Sequence, residues 1–211
     1  MTVPKRDTLR HTYADYLAWS RSSGDELIDG VAYVKEPPAP SPIHQGIVAE
    51  LCRQAGNALE DTLSRVFVGP FDVRLPKSNE QGDEVDTVVQ PDVLIICDRL
   101  KTDSRGIRGA PDWIAEVLSP STASYDQIVK LPAYERAGVA EVWLIHPIDR
   151  TVAIYRLEEG RYGRATILEL KGHTQISAVP AVTIDWDRVI GKIAGASSAV
   201  SALTRLGFQV E

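Results

Sequence analysis

Cysteine is scarce: only Cys52 and Cys97 occur in the 211 residues, and they do not form a CxxC pair. Cys52 falls in a helical pattern and Cys97 in a strand pattern. That speaks against a disulfide scaffold or a zinc site and fits buried thiols in a reducing cytoplasm. Long apolar runs are missing too. The longest aliphatic stretch, VLIIC at 93–97, is far too short to cross a membrane. The opening MTVPKRDTLRHTY carries no apolar segment behind its charges, so no signal peptide is expected. There is no basic excess either. A formal net charge of −6 argues against a protein that grips nucleic acid through a broadly basic surface. It leaves room for an enzyme whose cations gather beside one groove. No internal repeat or low-complexity block is present.

The length suits one domain over about 1–190 with a C-terminal tail at 191–211. Thr12 with Asp15 predicts a capped short helix. Asp29-Gly30 in DELIDGVAYVK is a two-residue turn signal and predicts a hairpin. Ser41 and Pro42 predict a helix to about Asp61, with Ile43, Ile47, Val48, Leu51, Ala55 and Leu59 on its apolar face. RVFVG, FDVRL, VVQPDVLIIC and WIAEVL read as strands. Ser124 and Gln127 predict a capping box for a helix to about Ala137, stopped by Gly138. EVWLIHP, TVAIYRL and YGRATILEL then read as further strands, and VTIDWDRVIGKIA as ending in a helix. Helices interleaved with strands and hairpins predict an α/β fold with a mixed sheet.

Two acids interrupt this apolar patterning. Strand alternation puts Asp92 on a face with Leu94 and Ile96, and Glu116 on a face with Ile114 and Leu118. If the two strands pair, the carboxylates converge, and converging carboxylates repel unless a cation or a shared proton offsets them. Oxygen ligation of this kind suits Mg²⁺ or Mn²⁺. Lys130 follows on the next helix, from which its long side chain can reach back to orient or deprotonate a water or to neutralise a phosphorane-like transition state. The loop CDRLKTDSRGIRG carries Arg99, Lys101, Arg105 and Arg108 directly after the Asp92 strand. It reads as a solvated loop, or as a basic flank of that site.

The segments ELIDG (26–30), PPAPSPIHQGIV (37–48), FDVRL (71–75), QPDVLII (90–96), GAPDWIAEVLSPST (109–122), DQIVKLPAYERAGVAEVWLIHP (126–147) and VAIYRL (152–157) resemble the Uma-two family of restriction-endonuclease-like nucleases. The resemblance runs from about residue 8 to about residue 185. It implies a branch of the PD-(D/E)xK superfamily: a mixed central sheet flanked by helices, which the N-terminal hairpin expected above would join, a divalent metal and a homodimer. By this resemblance Asp92 is the acid of the PD element and Glu116 the second acid. The usual lysine position falls on Leu118, and the role is implied to have moved to Lys130. The Val117 carbonyl becomes a further metal-ligand candidate.

Three more positions enter the candidate site. Asp72 in FDVRL points either to the same cleft or to solvent. His44, in the first turn of its helix, either packs and caps or lines the site. Glu26 precedes the hairpin and would ordinarily pair with a cation. Ser119, Ser121 and Thr122 read as turn-fixing residues rather than nucleophiles, and Tyr134, one turn beyond Lys130, packs beside it or, as is more common, joins the core. Apolar strands and tryptophans are candidates for an interface. The leading expectation is a Mg²⁺-dependent endonuclease on DNA. RNA or a small phosphodiester as substrate, and a non-catalytic binding or assembly module with the same fold, are the alternatives.

Overall fold

A computed structural model describes residues 5–6, 9–19, 25–34, 40–77 and 80–192. In chain order its first half holds β1 (Lys5–Arg6), α1 (Tyr13–Ala18), β2 (Glu26–Ile28), β3 (Val31–Val34), α2 (Pro42–Ala58), β4 (Arg65–Val68), β5 (Val73–Arg74), β6 (Val88–Val89) and β7 (Val93–Ile96). There follow β8 (Thr102–Asp103), β9 (Gly106–Arg108), β10 (Trp113–Val117), α3 (Ala123–Tyr125), α4 (Leu131–Ala137) and β11 (Glu141–His146). The chain continues through β12 (Thr151–Glu158), β13 (Arg161–Tyr162), β14 (Thr166–Glu169), β15 (His173–Gln175), β16 (Thr183–Asp185) and a helix over 186–192. Most of the expected tail lies outside the described residues.

Local chemistry accounts for the elements that frame the site. Asp29 and Gly30 both take positive φ, 51° and 75°, which closes the β2–β3 hairpin with the twist that flanking strands need. Ser41 Oγ accepts from the His44 amide at 3.2 Å and Pro42 occupies the first turn, so α2 starts where its capping residues place it. It ends at Ala58, short of the expected Asp61. Ile47, Val48, Leu51 and Ala55 pack inward, whereas Ile43, in the first turn, stays 41% exposed.

The strands form two large sheets, not one. One runs β13-β12-β11-β10-β7-β4, with β14 also on β12; the other runs β1-β3-β2-β6-β5-β9-β8. VVQPDVLIIC, read as one strand, breaks at Gln90-Pro91 into β6 and β7, which belong to different sheets. Proline cannot donate to a ladder, so a Pro in mid-run marks such a break. RVFVG and FDVRL likewise part at Gly69-Pro70. Asp92 therefore stands at the hinge between the sheets.

In the first sheet β10 is parallel to β11 and antiparallel to β7. α2 covers the face carrying Val93, Ile95, Trp113, Ala115 and Val117. α4 covers the opposite face, with Leu94, Ile96, Ile114, Leu118 and Tyr134. Trp113, Trp143 and Trp186 are fully buried, so these tryptophans build the core and offer no interface.

Candidate active site

The β7–β10 register pairs Trp113 with Ile95, Ile114 with Leu94 and Ala115 with Val93. One step further it sets Asp92 against Glu116, and the Asp92 amide lies 3.4 Å from Glu116 Oε2. The two acids are thus brought together by pairing alone. Their surroundings differ. Glu116 is 2% exposed and enclosed by α4, while the Asp92 side chain keeps 19% of its surface open.

Lys130 reaches Glu116 from the helical segment after β10. Its Nζ lies 2.6 Å from Glu116 Oε1, 3.1 Å from Glu26 Oε1 and 3.8 Å from Asp126 Oδ1. Tyr134 Oη also donates to Glu116 Oε1. Asp126, Lys130 and Tyr134 follow at intervals of four, the spacing that stacks side chains on one helical face. Between α3 and α4 the helix widens into a π turn over Asp126–Lys130, a distortion found mostly at functional sites. The predicted cap is displaced. Ser119 and Thr122 exchange hydrogen bonds and the Ala123 amide already donates to the Ser119 carbonyl at 2.9 Å. The helix therefore begins ahead of Ser124, and Gln127 donates to the Ala123 carbonyl instead of completing a capping box.

His44 is carried by the first turn of α2 to Asp92, with Nε2 3.1 Å from Oδ2. The same Oδ2 accepts from the Val117 amide at 2.8 Å. Val117 thus meets Asp92 through its N–H. Glu26 is buried, and besides Lys130 it accepts from the Gln90 amide at 2.6 Å. Asp72 stands one step out. Its Oδ1 accepts from Tyr16 Oη at 2.9 Å and from Gln90 Nε2 at 2.8 Å, so Gln90 links Asp72 to Glu26. Gly106 makes room for this loop. With φ of 113°, it lies so close that an added Cβ would meet the Asp72 carbonyl at 2.2 Å.

Burial pushes the Glu116 carboxyl up to about 8, and Lys130 offsets only part of that, with Asp92, Asp126 and Glu26 adding repulsion. Burial and the neighbouring acids likewise raise Asp126, to about 6, against the pull of Lys130. For Lys130 burial works downward, but Glu116, Glu26 and Asp126 outweigh it and hold the ammonium well above its ordinary range. Asp92 is lowered overall: burial works upward, and the His44 hydrogen bond and charge, Lys130 and the Val117 amide overcome it. One ammonium therefore serves several carboxylates in a dry setting, and the cluster is short of positive charge.

The donor set is all oxygen. Among the described residues no group of three or more His, Cys, Asp or Glu side chains is arranged to hold a metal. Mg²⁺ commonly takes only one or two carboxylates and keeps its waters. Glu116 Oε1 and Asp92 Oδ2 are engaged, which leaves Asp92 Oδ1 and the weakly contacted Glu116 Oε2, one oxygen from each acid. Carboxylate oxygens are the donor type that a hard divalent cation takes.

The basic loop leaves β7 at the end opposite Asp92, returns past the Asp72 carbonyl at Gly106 and Ile107, and has three of its four cations occupied. Arg105 pairs with Asp83 at 2.7 Å, Lys101 donates to the Ala110 carbonyl at 2.9 Å and Arg108 to the Glu80 carbonyl at 3.1 Å. Sequence reasoning assigns no role to Asp126 or Gln90; Tyr134 is core, as expected, and its hydroxyl also reaches the site. The D-x-x-x-K-x-x-x-Y spacing was the available signal for two of them; nothing in the sequence marked Gln90.

Residues 13–188 match Uma2, described as "Putative restriction endonuclease". No curated protein matches the chain. Among solved structures, a "putative nuclease belonging to DUF820" from Anabaena variabilis aligns with a TM-score of 0.65 at 20% identity, covering 86% of this chain and 98% of that one. At that identity the likeness establishes the fold, a restriction-endonuclease-like mixed α/β architecture. With the match covering most of its length, the chain belongs to the Uma2 family of restriction-endonuclease-like nucleases.

Proposed function

We propose that this protein is a Mg²⁺- or Mn²⁺-dependent endonuclease that hydrolyses phosphodiester bonds in DNA. The observation that carries this reading is the Lys130 ammonium, 2% exposed and wedged among Glu116, Glu26 and Asp126, beside an Asp92 that opens to solvent. Buried acids in excess over their counter-charge are costly for a purely structural cluster, whereas a site that receives a divalent cation and a phosphate needs them.

Asp92 and Glu116 would hold the cation, which when bound activates water and neutralises charge on the phosphate oxygens. His44 and the Val117 amide fix the Asp92 carboxylate, so its free oxygen has a set direction. Hydrolysis requires a water oxygen to bond to phosphorus while the bond from phosphorus to the leaving oxygen breaks. The water gives up one proton and the leaving oxygen takes one. Lys130 is held protonated, which makes it a donor. Its role is to orient the water and to stabilise charge on the pentavalent phosphorus, not to accept a proton. Tyr134, by sharing Glu116, and Glu26, by pairing with Lys130 directly, keep the ammonium aimed. A homodimer, implied by the family resemblance, is read directly by sedimentation.

The test is cleavage of supercoiled DNA, single-stranded DNA and RNA with Mg²⁺, Mn²⁺ or chelator, with Glu116→Ala prepared in parallel. Metal-dependent cleavage by the unaltered protein alone is expected. Equal cleavage by both preparations, or cleavage of no polymer, would overturn the reading.

A further inference from the structure

Phe67 and Phe71 stack face to face, ring centroids 4.5 Å apart and planes 6° from parallel. Both are half-buried, against the core on the α4 side of the sheet. The β4–β7 register pairs Phe67 with Leu94 and Val68 with Val93, so the next position, Gly69, falls opposite Asp92. The Gly69 amide donates to the Asp92 carbonyl at 3.0 Å, which fixes the turn that joins the two phenylalanines to the backbone of the acid itself. Directly opposed residues in an antiparallel pair share a face. Phe67 therefore lies on the Leu94 face, with Ile114 and Glu116, and diagonal to Asp92. Diagonal neighbours of this kind are about 7–8 Å apart. That is the scale of the reach from a phosphate to the base it carries.

β4 is an edge strand of its sheet. A pair of stacked, half-buried aromatic rings thus stands beside Asp92. Three of the four cations of the basic loop, in contrast, are engaged, Arg105 with Asp83 and Lys101 and Arg108 with carbonyls. A strand entering beside Asp92 meets π faces where a duplex binder would present lysines and arginines.

We propose that the Phe67–Phe71 stack is a base platform: it receives an unpaired nucleobase next to the scissile phosphate and selects single-stranded nucleic acid. This rests on the nuclease reading above. A base in a duplex has both faces covered and would have to be unstacked before it could reach the ring, whereas an unpaired base stacks on an aromatic face regardless of sequence.

The experiment measures binding by metal-free protein, so that it does not depend on cleavage. Fluorescently labelled single strands, intact or with consecutive abasic sites, and the corresponding duplex are titrated against the unaltered protein, Phe67→Leu and Phe71→Leu. Leucine keeps the apolar packing and removes the flat face, and circular dichroism confirms that each variant is folded. Intact single strands are expected to bind about 5- to 100-fold more tightly than abasic ones, and at least one leucine variant to lose that margin. Equal affinity for intact and abasic strands, tighter binding of duplex, no binding of any strand, or an unchanged margin in both variants would overturn the platform. Failure of the nuclease reading shows separately, as absence of metal-dependent cleavage in the same preparations.

Discussion

Two glutamates are buried on the adjacent parallel strands β10 and β11, and they have opposite fates. Glu141, 1% exposed, sits on the α2 face beside Trp143; Glu116, 2% exposed, sits on the α4 face beside Tyr134. Each Glu141 oxygen has its own fixed neutral donor, Trp143 Nε1 at 2.6 Å and the Ala178 amide at 2.9 Å. Glu116 has one oxygen crowded by Lys130 and Tyr134, the other nearly free, and three further acids in its field. Burial is common to both, so burial alone does not mark a site. The distinguishing feature is competition among carboxylates for one cation. Glu141 is a satisfied structural carboxylate, and Glu116 is the carboxylate to which the proposed function gives the cation.

Removing each acid's cationic neighbour gives the largest contrast. Lys130→Met leaves Glu116, Glu26 and Asp126 buried without their ammonium and is expected to destabilise the protein by about 3–5 kcal/mol. Arg156, 3.8 Å from Glu141 and with 36% of its side chain exposed, is screened by solvent, and Arg156→Met is expected to cost under about 1 kcal/mol. Urea unfolding of both variants decides it. Adding Glu116→Gln to Lys130→Met should restore part of the loss, because glutamine needs neither the ammonium nor the proton that a buried, unpaired Glu116 must take up. No recovery in the double variant would mean that the cluster is not electrostatically strained.

Activity separates the acids next. Glu116→Gln is expected to reduce metal-dependent cleavage by roughly 10²–10³-fold, the scale of losing one electrostatic contact to a transition state. Glu141→Gln should leave kcat unchanged in the folded fraction and lower stability by about 2 kcal/mol, or about 4–8 °C in Tm for a chain of this size. Comparable loss of kcat in folded Glu141→Gln would erase the distinction between the two.

A smaller effect lies in the pH dependence of metal-free protein. The folded carboxyls of Glu116 and Asp126 titrate above their ordinary values, from 4.5 to about 8 and from 3.8 to about 6. Within those windows the native state holds protons that the unfolded chain has released, so stability falls as pH rises. The contribution is fully present below the unfolded values and is lost as pH climbs through the folded ones. Asp92, lowered, works in the opposite sense, but only at pH values below its ordinary 3.8. Tm is therefore expected to drop by several degrees between mildly acidic and mildly alkaline buffer, and Glu116→Gln to flatten the part of the slope that ends near 8. An equally steep slope in Glu116→Gln, or a Tm that rises over this range, would show that Glu116 does not carry the proton.

Much of this arrangement was legible in the sequence, for local reasons. Turn chemistry fixed the Asp29-Gly30 hairpin, capping fixed the start of α2, and strand alternation put Asp92 and Glu116 on one sheet face. The helix after β10 was also expected to return Lys130 to them. What escaped depended on contacts distant in sequence. Strand alternation does not say which sheet a strand joins, so the split at Gln90-Pro91 was read through. A charged loop next in sequence to Asp92 reads as solvated or as a flank of the site, and sequence adjacency does not show that it leaves β7 from the opposite end with three of its four cations taken up by Asp83 and the Ala110 and Glu80 carbonyls. Tyr134 has the spacing of a core aromatic, and only the placement of Glu116 beneath it turns its hydroxyl into a donor. Asp126 became relevant through the π turn, which no local pattern announces.

The finest comparison replaces the neutral donor beside each acid. Trp143→Phe removes a donor from Glu141 Oε1, which has no other hydrogen bond in the described residues, and enlarges a gap in the core. Tyr134→Phe removes a hydroxyl from Glu116 Oε1, which still faces Lys130 at 2.6 Å. Losing a hydrogen bond while leaving a buried partner unpaired costs about 1–3 kcal/mol, and losing one of two donors costs less. Trp143→Phe should therefore melt lower than Tyr134→Phe, although the tyrosine hydroxyl lies closer to the chemistry. In cleavage the order reverses. Tyr134→Phe is expected to lower kcat by less than about tenfold, since Lys130 keeps its charge and only its aim loosens. Trp143→Phe should leave kcat alone. A Tyr134→Phe protein as inactive as Glu116→Gln would move the hydroxyl from a positioning role into the reaction itself, and the proton now placed between Tyr134 and Glu116 would have to be counted among those that move.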